Sequence, residues 1–529
     1  MKNEPLWLGS MKRPSFYPHK PQRVDLIQTH LSWVFLAGDL VFKVKKPVDF
    51  GFLDFTSLEK RHFFCNEEIR LNRRLCPEIY LGIVPITKGK DGDFALSGTG
   101  EVVEWAVEMK RMPDDGLMSL LIERDEITSR DLDGIKDILV PFYRQAKAPE
   151  GKLFLGGIET VQHNCEENFT QIIDFVGTAL SEDMNEQIIG YTRQFMEENK
   201  SVFSKRQRDG WIVEGHGDLY SANICFDRIR DKIYIFDCIE FNERFRYGDV
   251  AVDVAFLAMD LDFQGLCDLA YHFSSRFQTE MEDRELLRLL DFYKCYRAVV
   301  RGKIGCFTWM DPGVDPEAKN KSLEQARRYF SLAYRYAGGI TEPPNLYVFM
   351  GLSGTGKSTI ATAFAKRKGI EVFNSDFVRK ELISGIPATE KRIEPFGQGI
   401  YSSQFTEKTY RALARLAGRN LIIGESVVLD ATYIDRDKRK RLQEVARASG
   451  AKLIFIVCTC SEEEVEKRLE HRSMEKGKVS DGRLEIYKKQ KEIFSEPGPD
   501  EADHVIRLDT NHPIEEIIST LETALKKYL

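Results

Sequence analysis

Eight residues, Gly351-Leu352-Ser353-Gly354-Thr355-Gly356-Lys357-Ser358, join three glycines to a lysine and a hydroxyl at a spacing suited to gripping a polyphosphate. Without Cβ atoms the glycines turn the backbone through positive φ, so that successive N–H groups converge on an anion. A helix running on from Ser358 aims its positive end at the same place. Lys357 then reaches the β and γ phosphates and Ser358 ligates Mg2+. The whole stretch from Gly351 to Thr359 is assigned to the nucleotide, with ATP and Mg2+ as the expected cofactors.

A second set of residues suits the receiving end of such a reaction. His216-Gly217-Asp218 is followed by Asn223, five residues beyond Asp218, and by Asp237 at the close of the next hairpin. Phosphoryl transfer to a hydroxyl needs a carboxylate that orients the hydroxyl and takes its proton, together with oxygen ligands for the metal on the nucleotide. Asp218 suits the first role, Asn223 and Asp237 the second. A strand lysine held by a helix carboxylate would pair the phosphates. Glu68 falls on the apolar stripe of a helix, where a carboxylate wants a cation, and Lys43 and Lys45, two apart on one strand face, both qualify. His216 reads equally as a brace or a proton carrier, and Asp249 and Asp253 equally as functional carboxylates or as residues that only cap a helix or hold the loop backbone.

The elements that must position these groups can be traced in the pattern. Strands are predicted at 24–27, 33–36 and 40–45, the last two joined at Ala37-Gly38-Asp39. Residues 55–75 turn helical, with Phe64, Glu68, Leu71 and Leu75 on one stripe. Strands resume at 83–86 and 102–109, residues 117–205 are mostly helical, short strands flank the 216–223 loop, and helices return over 248–261 and 284–336. On His216, Gly217, Asp218, Asn223 and Asp237, with Glu240 and Asp253 suiting the same pattern, the chain from Val24 to Tyr334 resembles the kinase fold, specifically its aminoglycoside phosphotransferase and choline kinase branch. That resemblance implies an α+β bilobal domain. It also implies a glycine-rich loop between the first two strands, yet Gln28-Thr29-His30-Leu31-Ser32 has no glycine, so the phosphates must be covered differently.

Gly338-Gly339-Ile340-Thr341-Glu342-Pro343-Pro344-Asn345 breaks every periodicity. The expected organisation is therefore a kinase-like domain over 1–337, a linker over 338–345, and a further domain over 346–529. In the last, strands at 346–350, 371–374, 427–429, 452–457 and 504–508 alternate with helices, which predicts an α/β fold with a parallel sheet and binding at the strands' carboxyl ends. Asp376 and Asp430 fall at that edge, Asp430 where a Walker B carboxylate would hold Mg2+. Arg468 and Arg472 precede a polar stretch, 473–480, suited to a lid. This part resembles the small P-loop kinases grouped with polynucleotide 5'-hydroxyl kinase, gluconate kinase and zeta toxin. The resemblance implies that Asp376 activates the acceptor hydroxyl, with Arg379 three residues on.

Composition narrows the surroundings. The 529 residues are 42% apolar and 30% charged, with a net charge of −7 whose acidic excess lies before Asn345. Bulk charge of that sign disfavours nucleic-acid binding outside a local basic groove, and the acidic N-terminal part would tolerate a cationic substrate. Ten cysteines without a CxxC pair indicate reduced thiols. Residues 1–24 lack an apolar core and nowhere do 18 apolar residues run together, so a cytoplasmic protein without a membrane span is expected. The reading is a bifunctional ATP-dependent phosphotransferase, each domain acting on a hydroxyl of a small-molecule or nucleotide acceptor. Two alternatives stand beside it: an N-terminal ligand sensor controlling the P-loop domain, and a C-terminal ATPase switch without an acceptor.

Overall fold

The structure, a computed structural model, describes residues 4–388, 390, 397–474 and 484–527, the side chains of 472–474 excepted. The chain opens as a kinase-like α+β region. Strands β1 (Val24–Gln28), β2 (Ser32–Ala37), β3 (Leu40–Lys45), β4 (Tyr80–Lys88), β5 (Phe94–Leu96) and β6 (Glu101–Lys110) form an antiparallel sheet in the order β1-β2-β3-β6-β4-β5. Helix α1 (Leu58–Asn72) crosses it. The two-residue period of β3 sorts its side chains: Phe42 and Val44 pack with Trp7, Trp33 and Phe35 on one face, while Val41 packs beneath α1 on the other. Lys43 and Lys45 share the face of Val41. The Ser57 hydroxyl caps α1 by accepting the Lys60 N–H at 3.2 Å. The helix ends at Asn72, short of the predicted Leu75, and β5 is a strand that its three residues were too few to announce.

The rest of this region is mainly helical: α2 (Ser129–Gln145), α3 (Ile158–Ile172), α4 (Glu182–Glu198), α5 (Lys200–Arg208), α6 (Val250–Phe263), α7 (Cys267–Met281), α8 (Leu286–Met310) and α9 (Pro316–Tyr336). Between α5 and α6 lie β7 (Ile212–Glu214), the hairpin β8 (Ile224–Asp227) and β9 (Lys232–Ile235), and β10 (Tyr247–Asp249), which pairs with β7. Helix α6 is buried along nearly its whole length, its aspartates Asp253 and Asp260 included. A large apolar core gathers α2 through α9.

The C-terminal P-loop domain is a five-stranded, wholly parallel sheet: β11 (Asn345–Met350), β12 (Glu371–Asn374), β13 (Val427–Asp430), β14 (Lys452–Thr459) and β15 (His504–Asp509), in the order β12-β13-β11-β14-β15. The central strands β11, β13 and β14, buried on both faces, match the near-continuous hydrophobic runs of the sequence. Helices α10 (Lys357–Lys368), α11 (Ser403–Leu421), α12 (Arg436–Ala448), α13 (Glu462–Met474), α14 (Leu484–Ile493) and α15 (Ile514–Leu525) cover them. Asn345, assigned to the linker by pattern, is already the first residue of β11.

Helix α11 also packs against the kinase-like region. Arg415 Nε donates to Asp125 Oδ1 at 2.8 Å with both side chains buried, and Arg411 Nη2 donates to the Ile127 carbonyl at 2.7 Å. Gly265, at φ +81°, sits where a Cβ would lie 2.2 Å from the Arg415 carbonyl oxygen, and one on Gly418 would lie 2.4 Å from that of Gly265. Ile422 and Ile423, just beyond α11, join the apolar core of the N-terminal region.

Candidate active sites

The first site forms where the sheet meets the 216–223 loop. Lys43 Nζ lies 2.9 Å from Glu68 Oε1 and 2.5 Å from Asp237 Oδ1, joining groups 194 residues apart in sequence. Lys45, one pleat deeper and 1% exposed, bonds Glu68 Oε2 at 2.6 Å and also Glu240. Both lysines thus engage Glu68, which is wholly buried. Lys43 alone touches Asp237 and keeps some exposure. Burial works against the charge of Glu68, but the two ammonium groups hold its carboxyl well below the usual range. Asp237 stands at φ +65°, a left-handed conformation that a non-glycine residue adopts at a cost.

The loop is held from below. Asp253 accepts the His216 N–H at 2.7 Å, the Gly217 N–H at 3.0 Å and the Tyr143 hydroxyl at 2.9 Å. His216 is wholly buried; its Nδ1 accepts the Asp218 N–H at 3.2 Å, which leaves Nε2 to donate to the Phe236 carbonyl at 2.9 Å. Burial lowers its pKa, so it is a neutral brace in this structure. Asp249 caps α6 through the Ala251 N–H and pairs with buried Arg206 at 2.6 Å. Of the roles left open by sequence, His216, Asp249 and Asp253 take the supporting ones. Asn223 Nδ2 donates to Asp218 Oδ2 at 3.0 Å and to the Asp218 carbonyl at 2.9 Å. Burial pushes the Asp218 carboxyl up to about 6, against the pull of the Arg301 and Arg297 guanidinium groups. Neither arginine was singled out by sequence, because both lie mid-helix in α8 with no motif around them.

The second site lies at the carboxyl edge of the parallel sheet. Gly351, Gly354 and Gly356 have φ of +136°, +88° and +82°, and a Cβ at Gly351 would lie 2.5 Å from the Cys458 carbonyl oxygen. Gly356 caps α10, whose first residue is Lys357. Parallel pairing sets Asp430 beside Phe349 on one strand and Asn374 on the other, and Asn374 Nδ2 bonds Asp430 Oδ2. Burial raises the pKa of Asp430, opposed first by Lys357 and then by the Ser358 hydroxyl and Asn374. Among the described residues its Oδ1 accepts no hydrogen bond. A buried carboxylate oxygen left open beside Ser358 fits a hard cation that takes oxygen ligands, and the glycine cradle fits a polyphosphate.

Around this edge the other predicted residues divide. Asp376 is half-buried and follows β12, its N–H donating to Asn374 Oδ1 at 2.9 Å. Arg379 is 6% exposed and donates to the Ile400 carbonyl at 2.8 Å and to Thr406 Oγ1 at 3.1 Å, so it secures the segment leading into α11. Arg468 braces the loop: Nη2 donates to the Thr510 carbonyl at 2.6 Å, and Thr510 Oγ1 donates to the Thr355 carbonyl at 2.6 Å. The Ser353 N–H donates to Gln490 Oε1 of α14 at 2.9 Å. Leu352 and Thr359 belong to the same loop and first turn. The Arg472 side chain and the expected lid at 473–480 lie outside the described side chains. Thr510 and Gln490 were missed by sequence, since each supports the loop from more than 100 residues away.

A comparison with curated proteins supplies the lineage. The uncharacterized protein Rv2004c of Mycobacterium tuberculosis is 30% identical over 468 residues, covering 88% of each chain. The chain belongs to the Rv2004c family. The kinship spans the kinase-like region and the P-loop domain together. Within the latter, residues 346–497 match the AAA domain family. The thermoresistant gluconokinase of Escherichia coli is 26% identical over 188 residues, 35% of this chain and 94% of the gluconokinase. Among solved structures, the amicoumacin kinase hAmiN, determined with AMP-PNP, Ca2+ and Ami, aligns with 61% of this chain and 92% of its own at 10% identity and a TM-score of 0.38. This member of the Rv2004c family pairs a kinase-like α+β region with a C-terminal parallel-sheet P-loop domain. No helix among its described residues is long and apolar enough to cross a membrane.

Proposed function

We propose that the chain is a bifunctional ATP-dependent phosphotransferase, with a kinase-like domain over 1–337, a linker over 338–345 and a P-loop kinase domain over 346–529. The observation that carries the reading is the convergence of Lys43, Glu68 and Asp237 with Asn223 and Asp218, the two sets joined where the Phe236 N–H next to Asp237 donates to the Asn223 carbonyl at 3.0 Å, separate from the loop, Asp430 and Asp376 at the sheet edge. A ligand sensor has no need of a carboxylate poised near 6 beside two metal-type oxygen ligands, so that convergence favours catalysis over sensing.

In the first site Asp218 orients an acceptor hydroxyl and takes its proton as the oxygen bonds to the γ-phosphorus and ADP leaves. Lys43, held by Glu68, steadies the phosphates. Asn223 and Asp237 would hold Mg2+, while Lys45 and Glu240 form the support beneath. In the second, the N–H groups of 351–359 and Lys357 grip the phosphates, Ser358 and Asp430 would hold Mg2+, and Asp376 activates the acceptor. Arg379, three residues beyond Asp376, positions the segment leading into α11, Arg468 braces the loop, and Arg472 is assigned to neutralising charge on the phosphoryl group. When bound, ATP supplies that group and Mg2+ disperses its charge. The acceptors are small molecules or nucleotides in a cytoplasmic setting.

The test is label transfer from γ-labelled ATP across a panel of hydroxyl compounds, using the full-length chain and its Asp218→Ala and Lys357→Ala variants. Each substitution is expected to abolish one set of products and spare the other. One substitution removing every product, or neither removing any, overturns the two-site reading.

A further inference from the structure

The charges on the α8 side of the catalytic loop bear on what the first site phosphorylates. Arg297 is 5% exposed, donates from Nη2 to the Gly217 carbonyl at 2.8 Å, the residue before Asp218, and lies 3.8 Å from Asp253. Arg301, one turn on, stacks its guanidinium 4.8 Å from the ring of Tyr220, two residues after Asp218, and 5.6 Å from that of Tyr329. The buried Nε atoms of both are without a hydrogen-bond acceptor among the described residues. Two further cations lie beside α3: Arg244 pairs with Glu167 of that helix at 2.7 Å, and Lys303 Nζ on α8 donates to its Asn168 and Gln171 at 2.6 and 2.7 Å. A cavity of about 40 Å³ adjoins Arg297, Arg244 and Asn164.

Most carboxylates nearby are committed. Asp253 takes two backbone N–H groups and a tyrosine hydroxyl, Asp260 takes the Ser221 N–H at 3.0 Å, Asp249 pairs with Arg206 at 2.6 Å, and Glu167 holds Arg244. Asp218 and Asp237 remain, the proposed base and a proposed metal ligand already paired with Lys43. Unused capacity here is thus donor capacity on guanidinium groups, which are costly to bury unfilled and suited to carboxylate or phosphate oxygens. A cationic amino sugar would find no carboxylate to spare.

We infer that the acceptor of the N-terminal site carries an anionic group, a carboxylate or phosphate, seated on Arg301 and Arg297 while its hydroxyl faces Asp218. This departs from the cationic substrate that the acidic composition would tolerate, and it rests on the proposed phosphotransferase reading of that site.

Binding tests it apart from turnover. Calorimetry on the full chain carrying Lys357→Ala, with Mg2+ and AMP-PNP present, would compare glucosamine, glucose, gluconate and glucose 6-phosphate, a series running from cation to dianion. At least one anionic member is expected to bind on the order of 10- to 100-fold more tightly than glucose, the size of one or two charged hydrogen bonds, and Arg301→Gln should erase that margin. The carboxylate and phosphate arms tell the two anions apart. Glucosamine binding as well as gluconate, the margin surviving Arg301→Gln, a loss confined to AMP-PNP affinity, or no member binding to nucleotide-loaded protein would each overturn the inference. Label transfer by the Asp218→Asn variant judges the kinase reading separately: persistent transfer there would break that reading without touching the charge preference.

Discussion

The two sites meet one problem, holding a polyphosphate beside a hydroxyl, with different materials. The P-loop site uses contiguous backbone: eight residues, three of them glycines with positive φ, followed at once by a helix start. The kinase-like site uses side-chain charge drawn from four distant places, a strand, a helix, a loop and a hairpin, tied together by Lys43, Glu68 and Asp237. The first is local and geometric, while the second is assembled only when two halves of a region close. A backbone cradle tolerates change around it and fails when its glycines or lysine change. A charge cluster fails by degrees, according to which ion is removed and what it leaves unpaired.

The largest expected effect sharpens this contrast. Lys357→Ala should lower transfer by the P-loop site by about 10³-fold or more while leaving Asp218-dependent products and the melting temperature unchanged, as read by label transfer and calorimetry. A matching fall in both product sets would mean the sites are not independent. Next, the two strand lysines should part company. Lys43→Met is expected to cut kcat at the N-terminal site by about 10²-fold with little loss of stability. Lys45→Met instead leaves buried Glu68 and Glu240 without their shared cation, which costs about 3–5 kcal/mol by the measure of broken buried pairs and shows in denaturant unfolding. Reversal of these two outcomes would assign the phosphate-facing role to Lys45.

The pH response is smaller. With its carboxyl near 6, Asp218 should make N-terminal transfer rise about tenfold from pH 5 to 7 and then level off, whereas products that depend on Lys357 should lack that step. The same group has a stability signature. Its folded pKa lies above its ordinary 3.8, so the native state holds the extra proton between about pH 4 and 6, and the contribution is lost as pH rises through 6. Asp218→Asn should therefore be the more stable form at pH 8, by at most about 3 kcal/mol, and the gap should close below pH 4. A melting difference independent of pH would contradict the raised carboxyl. The smallest effect concerns packing: Gly265→Val drives a Cβ into the Arg415 carbonyl and should cost about 1–3 kcal/mol, lowering the melting temperature of both halves together.

The same contrast governs what could be read from sequence. The P-loop, its flanking strand and helix, and Asp430 were legible because their geometry follows from neighbours in the chain. Asp218, Asn223 and Asp237 were legible because one loop and one hairpin carry them. The choice between Lys43 and Lys45 was not, since both occupy one strand face and only the position of Asp237 distinguishes them. Arg297 and Arg301 could not be found by spacing. On α8 they look like any charged helix residues, and only the tertiary approach of Gly217 and Tyr220 brings them to the catalytic loop. Net charge averages over surfaces that never meet the site, so an acidic composition does not by itself fix the charge of the acceptor.

The seam along α11 carries a consequence for any attempt to take the protein apart. Cutting the chain between 338 and 345 would divide the sequence without dividing the structure: Ile422 and Ile423 would lose the apolar wall that covers them, and Arg415 would face solvent while Asp125 lost its counter-ion. Excised halves would expose sticky, half-neutralised faces, so the activities of the whole are best dissected by single-residue lesions in an uncut chain.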